Sequence, residues 1–92
     1  MRKVTATILK AFNNRQKKTI GNTSCDGDNV YLHGNKIVTR NPVSRIVYIC
    51  DGGYNSQTTR ERLKAFTNKS IRQKQFALLL DGKCWDGKWT EA

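Results

Sequence analysis

The acidic side chains are the groups whose spacing comes nearest to that of a catalytic site. Asp26 and Asp28 lie two residues apart, and a metal-dependent nuclease needs at least two carboxylates that converge on a cation. Asp26, however, directly precedes Gly27, and Asp-Gly is typical of a tight turn. The pattern therefore favours a structural turn, and it leaves a small nuclease as an alternative.

Three cysteines and one histidine suggest a second chemistry, that of a zinc site. Cys25, Cys50 and Cys84 are widely spaced and form no C-x-x-C pair, so zinc would need all three together with His33. Closely spaced pairs typify structural zinc sites, and we therefore interpret these cysteines as reduced, partly buried thiols. A nucleophile also needs a base and an orienting group. We expect no catalytic residue, no bound metal, no cofactor and no enzymatic activity.

Two glycines before a predicted helix invite comparison with a phosphate-binding loop. Gly52 and Gly53 are not followed by the Lys-Ser or Lys-Thr of that loop, so nucleotide hydrolysis is not indicated. The hydroxyls of Ser56, Thr58 and Thr59 could still hold a backbone phosphate at the helix N-terminus. Capping of the helix is the alternative role for them.

The strongest signal in the sequence is its charge. The 92 residues contain 17 Lys and Arg against 7 Asp and Glu, which gives a net charge of +10. Such a surface attracts polyanions, and it exceeds the charge of magnitude about 2–8 that solubility requires of a small domain. We expect nucleic acid or a nucleoprotein as the partner, with an acidic protein surface as the alternative. We expect no membrane partner, because no segment is long and apolar enough to anchor the chain.

The positive residues are clustered rather than mixed with acids. Between residues 29 and 80 only Asp51 and Glu61 are acidic, whereas a surface designed for solubility mixes both signs. Alternation along the segment 71–74 places Arg72 and Lys74 on one face of a strand. The predicted contact residues are the basic side chains of the clusters: Arg15, Lys17, Lys18, Lys36, Arg40, Arg60, Arg62, Lys64, Lys69, Arg72 and Lys74.

Periodicity predicts the elements that carry these residues. Apolar residues recur at helical spacing over 4–13, and residues 19–50 read as β structure with the strongest strand over 45–50, which we expect to be central. Gly34-Asn35 is a predicted hairpin turn, and the basic run 15–18 is a predicted loop.

The second predicted helix begins at a capping box. Thr58 is placed to cap it and Glu61 to reach back; the helix is expected to run to residue 66 or 67, with Arg60, Arg62 and Lys64 on its outer and flanking faces. The segment 70–89 is again predicted to be β. The order α-β-β-β-α-β-β predicts a single α+β domain over residues 1–92, with an antiparallel sheet of about five strands and two short helices on one face.

Aromatic residues provide candidates for base stacking. These are Tyr31, Tyr48, Tyr54, Trp85 and Trp89. Trp85 and Trp89 flank an Asp-Gly turn, and we expect both to pack under it. Sequence-specific reading of bases is not indicated, because no RNA-recognition or zinc-finger motif is present.

Several short motifs resemble those of a group of small tailed-phage accessory proteins. They are the segment Gly53–Ser56 followed by Thr58–Leu63, the segment Tyr31–Asn35 and the closing segment Trp85–Trp89. The group commonly has Gly-Trp-Asn-Thr before the Thr-Thr-Arg run, and Tyr54 replaces that tryptophan here. The resemblance covers most of residues 20–89, and it implies a phage accessory protein without indicating a reaction.

In size and charge the chain is also similar to phage-encoded anti-CRISPR proteins, among them an inhibitor of the subtype I-F surveillance (Csy) complex. This similarity implies a non-enzymatic inhibitor in the bacterial host cytoplasm. It would bind a host ribonucleoprotein of Cas proteins and guide RNA through basic residues and block target DNA binding. The alternative is a general phage protein that binds RNA or single-stranded DNA. We expect no small-molecule substrate in either case.

Overall fold

The computed structural model describes residues 2–53, 56–74 and 77–92. It confirms the α+β class and both helices, although the strands form two sheets instead of one. Tyr54, a candidate for stacking, and residues 75 and 76 of the segment predicted to be β over 70–89 lie outside the described part of the chain.

Two helices and nine strands are present in the described ranges. The helices are α1 (Lys3–Asn13) and α2 (Gln57–Lys64). The strands before α2 are β1 (Lys17–Ile20), β2 (Thr23–Asp26), β3 (Asn29–Leu32), β4 (Asn35–Arg40) and β5 (Val47–Ile49). The strands after it are β6 (Ile71–Lys74), β7 (Ala77–Leu80), β8 (Lys83–Cys84) and β9 (Thr90–Glu91).

All strand pairs are antiparallel. The larger sheet has the order β1-β2-β3-β4-β5-β9, so the end of the chain returns to complete the sheet that its first half begins. The smaller sheet has the order β6-β7-β8. The expected sheet of about five strands therefore corresponds to six strands plus a separate three-stranded sheet.

Both helices pack on the same face of the larger sheet, as predicted. Ile8 and Phe12 of α1 and Leu63 of α2 share one buried cluster with Val30 and Val38 of the central strands. The rings of Phe12 and Phe66 meet edge to face with centroids 5.3 Å apart, a favoured geometry for aromatic pairs. No helix of the described ranges is long and apolar enough to cross a membrane.

Helix α1 ends where the sequence predicts, and its end determines where β1 lies. The amide of Arg15 donates to the carbonyl of Phe12 and that of Gln16 to the carbonyl of Ala11, while Arg15 has a φ of 53°. This is the hydrogen-bond pattern of a Schellman motif, which satisfies the last carbonyls of a helix. Because the chain reverses so sharply, residues 17–20 run back beside α1 as a strand, and the loop predicted over 15–18 is confined to its first half.

The hairpin turns differ in position from the sequence predictions. The β structure predicted to begin at residue 19 is interrupted almost at once, by a turn at Gly21-Asn22 between β1 and β2. The turn between β3 and β4 occupies His33 and Gly34, one residue earlier than predicted, with φ values of 52° and 81°. Two consecutive residues with positive φ suit the right-handed twist of a two-stranded hairpin.

The expectation that residues 45–50 form a central strand is wrong. β5 contains only Val47–Ile49 and is the fifth of six strands. The side-chain oxygen of Asn41 accepts from the amides of Val43 and Ser44, and the amide of Asn41 donates to the carbonyl of Ile46. Arg45 and Ile46 belong to this closed loop, so neither residue is part of the sheet.

The capping box predicted for α2 is also wrong. Ser56 is the N-cap, and its hydroxyl accepts from the amide of Thr59 at 3.1 Å. The carboxylate of Glu61 instead accepts from Thr5 and pairs with Arg62, so it does not reach back to the cap. The helix ends at Lys64, two residues or more before the predicted end.

Candidate nucleic-acid interface

A basic groove of about 220 Å³ lies between helix α1 and edge strand β1. Thr7, Lys10 and Ala11 line it from the helix, and Gln16, Lys17 and Lys18 line it from the chain that leaves the helix. Lys18 pairs with Cys25, which faces the core, so its side chain lies on the sheet face that α1 covers. We call this surface the α1–β1 groove.

The charge of the α1–β1 groove is not compensated by the fold. None of the described residues that line it is acidic. Lys10, Lys17 and Lys18 are exposed, and the ion pairs within the described ranges involve none of them. Because like charges brought together repel one another, an anion that enters the groove relieves this repulsion. Lysine ammonium groups with hydroxyl and amide neighbours are common partners of phosphate oxygens.

Sequence reasoning found Lys17 and Lys18 but missed Lys10. It also missed Lys3, which extends the same stripe along α1 because residues 3, 7 and 10 follow helical spacing. The signal was available: Lys3 and Lys10 are exposed on α1, whereas the apolar positions Ile8, Ala11 and Phe12 are buried on its other side. Lysine near the C-terminus of a helix also stabilises its dipole, so Lys10 serves the helix as well.

The prediction that Arg62 is a surface contact is wrong. Its relative exposure is 4%, and its guanidinium donates to Thr23 Oγ1 at 3.1 Å and to Thr5 Oγ1 at 2.9 Å, besides its contact with Glu61. A buried arginine must be paired and hydrogen-bonded to offset its desolvation. Arg62 therefore joins α2 to α1 and β2, and it is not available to a partner.

Arg40 and Arg15 are also engaged within the fold. Arg40 donates to the carbonyl of Phe12 at 2.8 Å and pairs with Asp28 at 3.1 Å, and its guanidinium lies 3.8 Å from the centre of the Phe12 ring. Arg15 is more exposed and lies 3.8 Å from the same carboxylate. Asp28 therefore compensates much of the positive charge of this cluster.

The remaining predicted contact residues lie on separate surfaces. Lys64 is exposed at the end of α2, and Arg60 is half-buried on that helix. Arg72 and Lys74 are exposed, and alternation along β6 places both on the face opposite to that of the buried Ile71. Lys69 donates to the carbonyl of Glu91 at 2.8 Å.

Lys36 lies beside the ring of Tyr31 and outside the α1–β1 groove. Its Nζ is 5.9 Å from the centre of the Tyr31 ring, a distance that allows a cation–π contact. Tyr31 and Tyr48 are half-buried. Trp85 packs against the core and donates to the carbonyl of Lys88, as the sequence suggested, but Trp89 remains 48% exposed, so its expected packing is wrong.

The Asp26 carboxylate stabilises the turn in which it lies. Asp26 Oδ1 accepts from the amides of Asp28 and Asn29, and its Oδ2 accepts from the hydroxyl of Tyr31, so this carboxylate organises its own turn. Cys25 and Cys50 are buried and Cys84 is exposed. Within the described ranges, no group of three or more His, Cys, Asp or Glu side chains is placed to hold a metal ion.

One comparison with known proteins gives a match, and it covers almost the whole chain. A family model described as Kyanoviridae Gp96 protein matches residues 1–91 of the chain. Neither the curated proteins nor the solved structures include a match.

Proposed function

The chain belongs to the Kyanoviridae Gp96 protein family, a family of phage proteins, and from this premise we propose that it is a non-enzymatic protein that binds the phosphates of nucleic acid. The observation that carries the proposal is the α1–β1 groove, where three lysines without ion-pair partners in the described ranges surround one concavity. A net charge of +10 adds a long-range attraction to the same class of partner.

We further propose that the nucleic acid is the guide RNA of a host ribonucleoprotein, and that the protein is an inhibitor of the anti-CRISPR type that acts in the bacterial cytoplasm. The similarity in size and charge to such inhibitors supports this. A ribonucleoprotein offers phosphates and protein pockets together, so a small basic domain gains affinity from both. A general binder of RNA or single-stranded DNA is the alternative, and the groove suits both because it contacts phosphates.

Binding to a fluorescently labelled 20-nucleotide RNA, measured by anisotropy over a range of salt concentrations, tests the phosphate contacts. The variant Lys10→Glu, Lys17→Glu, Lys18→Glu should lose most affinity. The slope of the logarithm of its binding constant against the logarithm of the salt concentration should become less steep by about 2, because three phosphate contacts that contribute ~0.7 each are lost. A matched control with the same change of charge is Lys64→Glu, Lys74→Glu, Lys83→Glu, three exposed lysines outside the groove. Equal losses in both variants would show that net charge, not the groove, is responsible.

Affinity capture from a host lysate, with and without nuclease treatment, identifies the partner. Recovery of a discrete Cas complex with its guide RNA, read by mass spectrometry and RNA sequencing, would support the inhibitor. Recovery of bulk nucleic acid alone, lost after nuclease treatment, would contradict the inhibitor and support the general binder. Cleavage of nucleic acid in the presence of magnesium would contradict both.

A further inference from the structure

A second concave surface, of about 750 Å³, lies where the Asp51–Gly53 turn meets the segment 85–89. Its walls include Lys36, Asp51, Gly52, Lys88 and Trp89. It is distinct from the α1–β1 groove, because the two share no lining residue. We call it the Trp89 cavity.

The two turns that form this cavity are fixed against each other. The amide of Asp51 donates to the carbonyl of Gly87 at 2.9 Å, and Asp51 Oδ1 accepts from the amide of Gly53 at 2.8 Å. Gly87 packs so closely that a Cβ added there would lie 2.1 Å from Asp51 Oδ2. A site whose frame is held in this way loses little conformational entropy when a ligand binds.

Trp89 is displayed on this frame instead of packing beneath it. The indole of Trp85 donates to the carbonyl of Lys88 at 3.0 Å and so holds the backbone on which Trp89 stands. Trp89 is 48% exposed, one of few large apolar side chains exposed in the described ranges. Exposed aromatic rings beside lysines are the usual stacking platforms of proteins that bind single-stranded nucleic acid.

Two lysines and two carboxylates line the Trp89 cavity, namely Lys36, Lys88, Asp51 and Asp86. Lys88 is strongly exposed, and its ammonium lies 4.0 Å from Asp86 Oδ2, a weak and solvated pair. Asp51 Oδ1 accepts a hydrogen bond from the amide of Gly53. Lys36 lines the cavity from strand β4, and its ammonium lies 5.9 Å from the centre of the Tyr31 ring. Of the two lysines, Lys36 is the one that takes part in none of the ion pairs in the described ranges, so its ammonium is available to a phosphate.

We propose that the Trp89 cavity holds one unpaired base of a single-stranded nucleic acid, stacked on the indole of Trp89, with an adjacent phosphate on Lys36. This inference rests on the proposed function, because the strand that delivers the base is held by its phosphates. It adds a preference that the α1–β1 groove alone does not give. A duplex keeps its bases stacked inside, so only a single strand can fill the cavity.

The test compares a labelled 12-nucleotide oligothymidylate with a 12-base-pair duplex by fluorescence anisotropy. Trp89→Ala should weaken binding of the single strand about 5-fold to 100-fold, the range expected when one base loses an aromatic partner, and should leave duplex binding unchanged. Trp89→Phe, which retains a ring, should remain within about threefold of the native affinity. Val43→Ala truncates another exposed apolar residue and should change neither affinity.

The outcomes separate this inference from the proposed function. If Trp89→Ala binds the single strand like the native protein while Lys10→Glu, Lys17→Glu, Lys18→Glu loses both ligands, the base site is wrong and the phosphate groove stands. If Trp89→Ala weakens both ligands equally, or Trp89→Phe fails to restore binding while its thermal midpoint is native, stacking is also wrong. If the native protein binds neither ligand, the proposed function itself is wrong.

Discussion

Arg62 Nε donates to Thr23 Oγ1 at 3.1 Å, so a residue from the basic run of α2 is bonded to strand β2 in the interior. Thr23 is completely buried, and its hydroxyl in turn donates to the side chain of Asn22 at 2.9 Å. The arginine thus ends a chain of hydrogen bonds that connects α2, the larger sheet and the Gly21-Asn22 turn. Charge reversal at this position tests folding and not binding.

Replacing Arg62 should therefore destabilise the protein. Arg62→Met removes the charge that pairs with Glu61 and leaves the hydroxyls of Thr5 and Thr23 without a donor, and we expect a loss of about 3 kcal/mol in the free energy of unfolding. Urea denaturation measures it. Lys64→Met, an exposed neighbour on the same helix, is the control and should change stability by less than about 0.5 kcal/mol. Equal midpoints for the two variants would contradict the buried network.

Gly87→Ala should be much more damaging than Gly82→Ala. Both glycines have positive φ, 78° and 83°, so an alanine costs about 1 kcal/mol of backbone strain at either one. Only at Gly87 does the added methyl meet a carboxylate, whereas at Gly82 nothing lies within 4 Å. The clash should add about 1–3 kcal/mol. Thermal unfolding of the two variants measures the difference, and similar midpoints would show that Asp51 moves aside freely.

The three cysteines should react with iodoacetamide at very different rates. Burial raises the pKa of the Cys25 and Cys50 thiols above the ordinary value, which lowers the thiolate fraction at any given pH. Cys84 is exposed. At pH 8 mass spectrometry should find one label in the native protein and three in urea, and Cys84→Ser should remove the native label. Rapid modification of two or more thiols without denaturant would contradict the burial.

Asp26 should make the free energy of unfolding depend on pH in the acidic range. Partial desolvation raises its pKa, but hydrogen bonds from the side chain and amide of Asn29, the Asp28 amide and the Tyr31 hydroxyl together outweigh this, so the pKa lies below the ordinary 3.8. A carboxyl group with a lowered folded-state pKa stabilises the protein above its unfolded pKa of about 3.9 and loses this contribution as the pH falls further.

Urea midpoints of the native protein and Asp26→Asn measure that contribution. The native protein should be the more stable of the two at pH 6, and the difference should shrink between about pH 4 and pH 2. A difference that stays constant over this range would mean that the ionised form of Asp26 has no preferred partners in the turn.

Local patterns predicted the elements more reliably than their places in the sheet. The apolar spacing of residues 4–13 identified α1 and its end, and the glycines located most turns within a residue. The order of strands depends on long-range pairing, which brings Thr90 and Glu91 to β5, and no local pattern encodes it. The capping residue was misplaced because Glu61 has a distant partner, Thr5, that a reading limited to four consecutive residues does not include.

The candidate sites show the same limit. A count of charges identified the class of partner but could not separate Arg62, whose partners are buried threonines from other elements, from exposed Lys64 two residues later. Arg40 was assigned to a surface cluster because its contacts with Phe12 and Asp28 come from residues 28 and 12 positions away. Lys10 was overlooked because its neighbours Lys17 and Lys18 join it only after the chain reverses.

Strand β1 is an edge strand of the larger sheet, and in the described ranges it pairs with β2 alone. Lysines on such an edge keep a second copy from adding its own strand there. Lys17 and Lys18 therefore have two opposing roles: they attract a polyanion, and they repel a second copy of the protein. A bound nucleic acid neutralises the lysine charges that keep copies of the protein apart. Protein molecules bound side by side on one nucleic-acid molecule should therefore associate through β1 more readily than free molecules do.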